Sequence, residues 1–337
     1  MNERERFRRL MRGEPVDRPP LLEEGVRAGV LERWHREGLP HGTTHLDRFG
    51  LTPHERVGPD LTFRPRYFGR IVDLPLREYR RAFDVSRRRL PRDWVAVAGR
   101  LHAREHVACI WSSRGLLQAL GVGDWPTLEQ ALLATRERAA HVQELLDHYG
   151  DFCARMLELA LEDVDPEFIY LSEPISDNQG PLISPASFAE LMIPVYRKIV
   201  TVAQRHGCAN LLVSTYGNTN RLFPAMIDAG VSTIWLSEAP DLPELDYREL
   251  RRRFGPMLGL IGGIPLSVLR ERSPERLAKR VRETVPPLLR EGRYIPLASG
   301  RVRDDVPWDT YRRYRELLAA LLDADAVSEA TETPGPA

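Results

Sequence analysis

From Val107 onward the chain alternates short apolar runs with longer amphipathic ones, and polar residues follow each short run. Residues 107–111, 168–171, 211–213, 233–236, 257–261 and 294–297 are brief, rich in β-branched or aromatic side chains and flanked by breakers, which predicts buried strands. Between and after them, helical patterns run over 127–141, 142–163, 185–206, 222–228, 247–254, 266–270, 274–289 and 307–322. Helices separating successive strands predict a parallel sheet. Upstream, residues 2–12 read as a short amphipathic helix with Phe7, Leu10 and Met11 on one side. A breaker-rich stretch then leads to a short strand at Leu21-Leu22, and a second helix spans 26–37.

The strand count sets the expected fold. Six strands follow residue 106, residues 21–22 make a seventh, and an eighth is expected between 60 and 105, at 94–98. Eight strand–helix units with polar residues at the carboxyl ends of the strands predict a single (β/α)8 TIM barrel carrying an N-terminal helical extension. A doubly wound sheet is the alternative, but no GxGxxG follows any strand. The expected organisation is one barrel domain over 1–323, with N-terminal helices and the first strand in 1–40 and an irregular insertion at 41–105. An Ala/Glu/Thr/Pro-rich tail at 324–337 is expected to be disordered.

Composition narrows the partners. In 337 residues, 42% are apolar, 28% are charged and the formal net charge is zero, so no global field directs the chain to nucleic acid or an anionic membrane. No apolar run approaches the roughly 20 residues of a membrane span. Cys109, Cys153 and Cys208 have no short spacing, which suits a reducing cytoplasm better than a disulfide framework or a zinc knuckle. His35, His41, His45 and His54 match no ligand template and read as surface or capping residues. The run Arg87-Arg88-Arg89 reads as a solvated face.

The stretch IYLSEPISDNQGPLISP, 169–185, holds the densest candidate chemistry. A strand leads into a polar loop carrying Glu173, Asp177 and Asn178, and Ser184-Pro185 then opens a helix. Further polar groups sit at other strand ends: Glu23 and Glu24, Arg114, Ser214, Tyr216 and Asn218, Glu238, and Arg301 with Arg303. Such positions are where α/β proteins bind ligands. The alternative for the loop is a capped turn with a solvated carboxylate. For each of the two arginines it is a surface ion pair with Asp304 or Asp305.

Several segments together resemble the uroporphyrinogen decarboxylase superfamily of (β/α)8 barrels. They are RERFRRLMRGEPVDRPP, LERWHREGLP, EPISDNQGPLISPASFAELMIPVYRKI, GLIGGI and PPLLREGRYIPLASGRVRDDVPWDTYRRY. Their order and spacing carry the resemblance over most of 3–320, least between 41 and 105. The true decarboxylases have an arginine-rich MRQAGRY segment after the RPP that grips substrate carboxylates. Here that place reads LLEEGVRAGV, with Arg27 out of register and Glu23 and Glu24 repelling propionates. The corrinoid-dependent methyltransferase branch holds zinc with an HxC pair and a later cysteine. The matching positions are Ser214, Tyr216 and the Ser299–Arg301 stretch, so the resemblance implies no zinc. A third branch places a Glu-Asp, a DSDG turn, a second Glu and an Asp-His at its strand ends. Glu173 and Glu238 match its glutamates, while Pro174, the STYG turn at 214–217 and Ser299-Gly300 replace the rest.

Two functional readings follow. In the first, the chain is an enzyme without a cofactor: Glu173 and Glu238 act as acid and base, mutual repulsion raises one of them, and Tyr216 donates a hydrogen bond or a proton. Asp177, Asn178, Ser214, Asn218, Arg114, Glu24, Arg301 and Arg303 would then bind substrate. The chemistry would be decarboxylation or methyl transfer on a carboxylated ligand, with tetrapyrroles and corrinoid-related molecules among the candidates. In the second, a diverged barrel binds such a ligand without transforming it, or assists a cobalamin-dependent methyl transfer without zinc. The family suggests a homodimer and, for the methyltransferase branch, a corrinoid protein as partner.

Overall fold

The computed structural model describes residues 1–64, 71–271 and 273–332. The chain divides into two compact units. The first comprises Met1–His54, Glu105–Val107 and Trp235–Ala337, and the second Glu55–Arg104 and Ala108–Ile234.

Seven strands occur among the described residues: β1 (Glu55–Val57), β2 (Ala108–Ser113), β3 (Phe168–Glu173), β4 (Leu211–Thr215), β5 (Thr233–Leu236), β6 (Gly259–Pro265) and β7 (Tyr294–Ser299). In the second unit β1 to β4 pair in sequence order, every pair parallel. Every residue of β3 and β4 is buried, as expected of parallel strands covered on both faces. The helices Ala139–Leu161 and Ile193–Arg205 belong to this unit, and Gly150 lets them approach: a Cβ there would lie 3.2 Å from the Val195 Cα. A buried ion pair links the starts of β2 and β3. Nη2 of Arg104 lies 2.9 Å from both Glu167 carboxylate oxygens, and the Ala108 N–H donates to Glu167 Oε2 at 2.8 Å.

In the first unit β6 and β7 pair parallel. Their carboxyl ends are shaped by Gly262 and Gly263, both at positive φ inside β6. A Cβ on Gly262 would lie 2.6 Å from the Tyr247 hydroxyl, and one on Gly263 would lie 2.9 Å from that of Tyr294. The two glycines therefore leave room for buried phenols that hydrogen-bond to the strand's own carbonyls, Tyr247 to Ile261 and Tyr294 to Gly262.

Several expected elements differ. Residues 21–22 form no strand; the parallel contact is a single bridge between Val26 and Val302. The second helix starts only at Val30, after Gly29 in the left-handed region. The strand expected at 94–98 is the helix Trp94–His102, whose buried residues Trp94, Ala98 and Leu101 follow helical spacing. Among the described residues no strand lies between 60 and 105; β1, at 55–57, comes just before that window. The helix expected over 185–206 breaks at Met192 into Pro185–Leu191 and Ile193–Arg205, with Pro194 in the first turn of the second piece. β6 runs through Gly262-Gly263 rather than stopping before it. The C-terminal helix spans Trp308–Glu332, where a disordered tail was expected from 324; residues 333–337 of that tail lie outside the described residues.

Two surface assignments also change. His45 is 4% exposed at the start of the helix His45–Phe49, with its ring edge-on to Trp34 and Tyr311, and burial pushes its pKa down. Arg89 is buried over the Phe152 ring and donates to the carbonyls of Asp60, Thr62, Ala82 and Asp84, so it organises the loop around it.

Candidate functional site

Glu173 is the last residue of β3 rather than part of the following loop. It is fully buried, yet both carboxylate oxygens have donors: Oε1 accepts the Leu116 N–H at 3.1 Å and Oε2 accepts the Tyr196 hydroxyl at 3.0 Å. Gly115, at φ +79, makes this possible, because a Cβ there would lie 2.4 Å from Glu173 Oε1. Burial pushes the Glu173 carboxyl up to about 7, and the two hydrogen bonds oppose the rise without cancelling it. The sequence reading assigned such a rise to a second carboxylate; the cause is burial.

Around this strand end, Thr215 of β4 is in register with Glu173, and Ser214 with Ser172. Ser214 is buried, while Tyr216 is half-buried. Asp177 and Asn178 are exposed. The Asp177 carboxylate caps its own turn, accepting the N–H groups of Gln179 and Gly180 at 2.7 and 3.0 Å. Its carbonyl accepts the Asn218 N–H at 2.6 Å, and Gly217 leaves no room for a side chain there. Asp177 and Asn218 are thus brought together through the backbone.

At the carboxyl ends of β1 and β2, in the same unit, lies a cavity of about 240 Å³ lined by residues including Arg56, Gly58, Asp60, Trp111 and Arg114. A register shift in β2 between Trp111 and Ser113 adjoins it, and the Trp111 indole N–H donates to the Ser113 carbonyl at 2.9 Å, fixing the ring. The Arg56 and Arg114 guanidinium carbons lie 5.6 and 4.9 Å from the centroid of this ring, and Arg56 also stacks 4.7 Å from that of Tyr170. Asp60 is occupied by Arg64 and Thr62.

Glu238 belongs to the first unit and follows β5. It sits at φ +50, a costly conformation for a residue with a side chain. Its Oε1 accepts from Arg27 and its Oε2 from Arg303, while the neighbouring Ser237 hydroxyl donates to Glu24. Burial raises the Glu238 pKa, but the two guanidinium partners outweigh it and the carboxyl titrates below its ordinary value. Arg303 therefore pairs with a distant glutamate rather than with Asp304 or Asp305; Asp305 pairs with Arg270. Arg301 is exposed and takes no part in this cluster.

Sequence reasoning named Glu173, Arg114, Glu24, Glu238 and Arg303 but missed the groups that define their surroundings. Tyr196 reads as an ordinary core position of a helix. Arg56 falls in the least legible segment, where only its place beside the three-residue β1 would have marked it. Arg27 was noted but assigned no role.

The residues at the methyltransferase zinc positions do not fit a metal. Ser214, Tyr216 and Ser299 offer hydroxyls, Gly300 offers no side chain and Arg301 a cation.

Residues 123–313, more than half of the chain, match the uroporphyrinogen decarboxylase (URO-D) family. No curated protein matches the sequence. Among solved structures, a methyltransferase from Methanosarcina mazei superposes with a TM-score of 0.63 at 14% identity, covering 96% of this chain and 99% of that one. The YdhT protein from Bacillus subtilis reaches a TM-score of 0.39 at 12% identity, over 91% of this chain and 86% of that one, too low to bear on the fold. The first likeness speaks to fold alone: α/β with parallel strands, consistent with a TIM-barrel-like architecture, and the eighth strand is not among those described. No described helix is long and apolar enough to cross a membrane.

Proposed function

This chain belongs to the uroporphyrinogen decarboxylase family, and we propose that it is an acid–base enzyme that decarboxylates a carboxylated small molecule, with Glu173 as the proton donor. The observation that carries this reading is a fully buried carboxyl, titrating near 7, at the carboxyl end of a central parallel strand. Loss of CO2 breaks a carbon–carbon bond and leaves its electron pair on the carbon that remains with the product. A protonated Glu173 would deliver a proton to that carbon, become a carboxylate and be reprotonated from solvent. A pKa near the working pH suits a group that must both give and regain a proton. Tyr196 and the Leu116 N–H would hold the carboxylate formed in that step.

One observation favours a second reading, a ligand-binding barrel without chemistry: both Glu173 oxygens already have protein donors and the residue has no solvent exposure. The full chain would be incubated with uroporphyrinogen, with methylcobalamin plus a thiol, and with a panel of small carboxylic acids. CO2 release and methyl transfer would be followed against pH. The enzyme reading expects CO2 release that declines above about pH 7, as Glu173 loses its proton, and a kcat about 100-fold or more lower in Glu173→Gln. Turnover indifferent to that substitution removes Glu173 from the mechanism. No turnover, with a ligand-induced rise in Tm, supports the binding reading.

A further inference from the structure

We propose that Tyr149 is a positioning residue for Glu173: its buried hydroxyl anchors the turn at 113–116, and that turn keeps water from the carboxyl. The inference deepens the reading of Glu173 as the proton donor and rests on it for its catalytic consequence.

Three successive backbone N–H groups carry the argument, each taken by a side chain. Arg114 donates to the Tyr149 hydroxyl at 3.3 Å, Gly115 to the Ser113 hydroxyl at 3.2 Å and Leu116 to Glu173 Oε1 at 3.1 Å. The turn is therefore tied to the helix Ala139–Leu161 at one end and to β3 at the other. An N–H deprived of its acceptor seeks water. Water reaching the Arg114 amide stands two residues from the amide that closes on Glu173.

Tyr149 suits this role and no other in the site. It is wholly buried, and its ring packs edge-on to Phe83 at a centroid distance of 5.2 Å, which fixes where the hydroxyl points. Burial pushes its pKa well above the ordinary value, so it stays a neutral phenol and acts through the turn rather than by proton transfer. The titratable neighbours of Glu173 are uncharged too: Tyr196 bonds it directly, Tyr149 faces Tyr196, and Cys153 adjoins Tyr149. Water admitted at the turn would lift the burial penalty, the larger influence on the carboxyl, and would replace the Leu116 N–H as donor. Loosening the turn therefore lowers the Glu173 pKa from about 7.

The test titrates Glu173 in the full chain without substrate. The signal is the carbonyl band of the protonated acid in difference infrared spectra, identified by its loss in Glu173→Gln. Tyr149→Phe keeps the ring and removes the hydroxyl. It is expected to lower the Glu173 pKa by about half a unit or more and to speed amide hydrogen exchange at Leu116 about threefold or more. Ser113→Ala, which takes the acceptor from Gly115, should act in the same direction and serves if the first variant folds poorly. Tyr79→Phe is the control for a merely structural loss. That phenol is equally buried and donates to the Ala119 carbonyl at 2.9 Å, and its removal should leave both readings in place. A Glu173 pKa unmoved in Tyr149→Phe (or in Ser113→Ala where that variant serves), or moved as far in Tyr79→Phe, overturns the proposal. Failure here is distinguishable from failure of the decarboxylase reading. A shifted carboxyl without CO2 release keeps the role of Tyr149 and removes the reaction, while CO2 release whose alkaline limb is unmoved in Tyr149→Phe does the reverse.

Discussion

The Tyr196 hydroxyl donates to Oε2 of Glu173 at 3.0 Å, and both residues are wholly buried. A carboxyl in that position carries a pH signature that can be measured without knowing the substrate.

An acid whose folded pKa lies above its unfolded value favours the native state while both forms are protonated, and that advantage is lost as pH rises through the folded pKa. For Glu173 the window runs from the ordinary value of 4.5 to about 7. The corresponding loss is roughly 3 kcal/mol. Glu173→Gln, which imitates the protonated form, is expected to match the wild type near pH 5. At pH 8 it should be more stable by up to roughly that amount. Urea denaturation at the two pH values checks this, and equal wild-type-to-variant differences at both would contradict it.

Gly115→Ala tests the contact that seals the same carboxyl. The new Cβ would fall 2.4 Å from Glu173 Oε1 and 2.8 Å from the Ser172 carbonyl, at a φ of +79 that disfavours alanine. The expected cost is about 2 kcal/mol or more, read as a lower denaturation midpoint. Gly99→Ala, where nothing lies within 4 Å and the glycine is helical, is the control and should be neutral or stabilising.

Arg303→Gln removes one of the two cations on Glu238. That carboxyl titrates below its ordinary value, so its contribution is present above the ordinary value and lost as pH falls through the depressed one. The variant is expected to move the Glu238 pKa upward, seen by carboxyl carbon NMR. Because Arg27 and Arg303 are 46% and 42% exposed, the stability cost should stay below about 1 kcal/mol. A larger loss would mean that Arg303 supports packing as well as charge.

The Arg104–Glu167 pair offers the opposite case, since its side chains are 2% and 0% exposed. Arg104→Met leaves a buried carboxylate without its guanidinium and is expected to cost about 3–5 kcal/mol. Combining it with Glu167→Leu should recover much of that loss, because the second change removes the stranded charge. A double-mutant cycle by urea denaturation measures the coupling.

Where hydrophobic period and breakers agreed, the sequence was legible. Thr233–Leu236 and Tyr247–Phe254 have the bounds that their patterns predict. It misled where a short apolar run fits either element. The segment WVAVAGRLH opens with five consecutive apolar residues, which suits a buried strand, but it also places Trp94, Ala98 and Leu101 on one helical face, and packing on that face decides. A three-residue strand such as Glu55-Arg56-Val57, two-thirds charged, gives no periodic signal. The glutamates of the candidate site could be named because polar residues after apolar runs mark strand ends. Their chemistry could not be read, since it depends on partners such as Arg27, 211 residues from Glu238, and Tyr196 on an otherwise ordinary core helix.

Gly115 closes over Glu173 so tightly that no side chain could replace its hydrogen atom without a shift. With the Tyr196 hydroxyl on its other oxygen, the carboxyl is walled off on both sides, so under the decarboxylase reading its proton would have to be exchanged with bulk water through some local opening of the fold. In that case the frequency of the opening would set an upper bound on turnover.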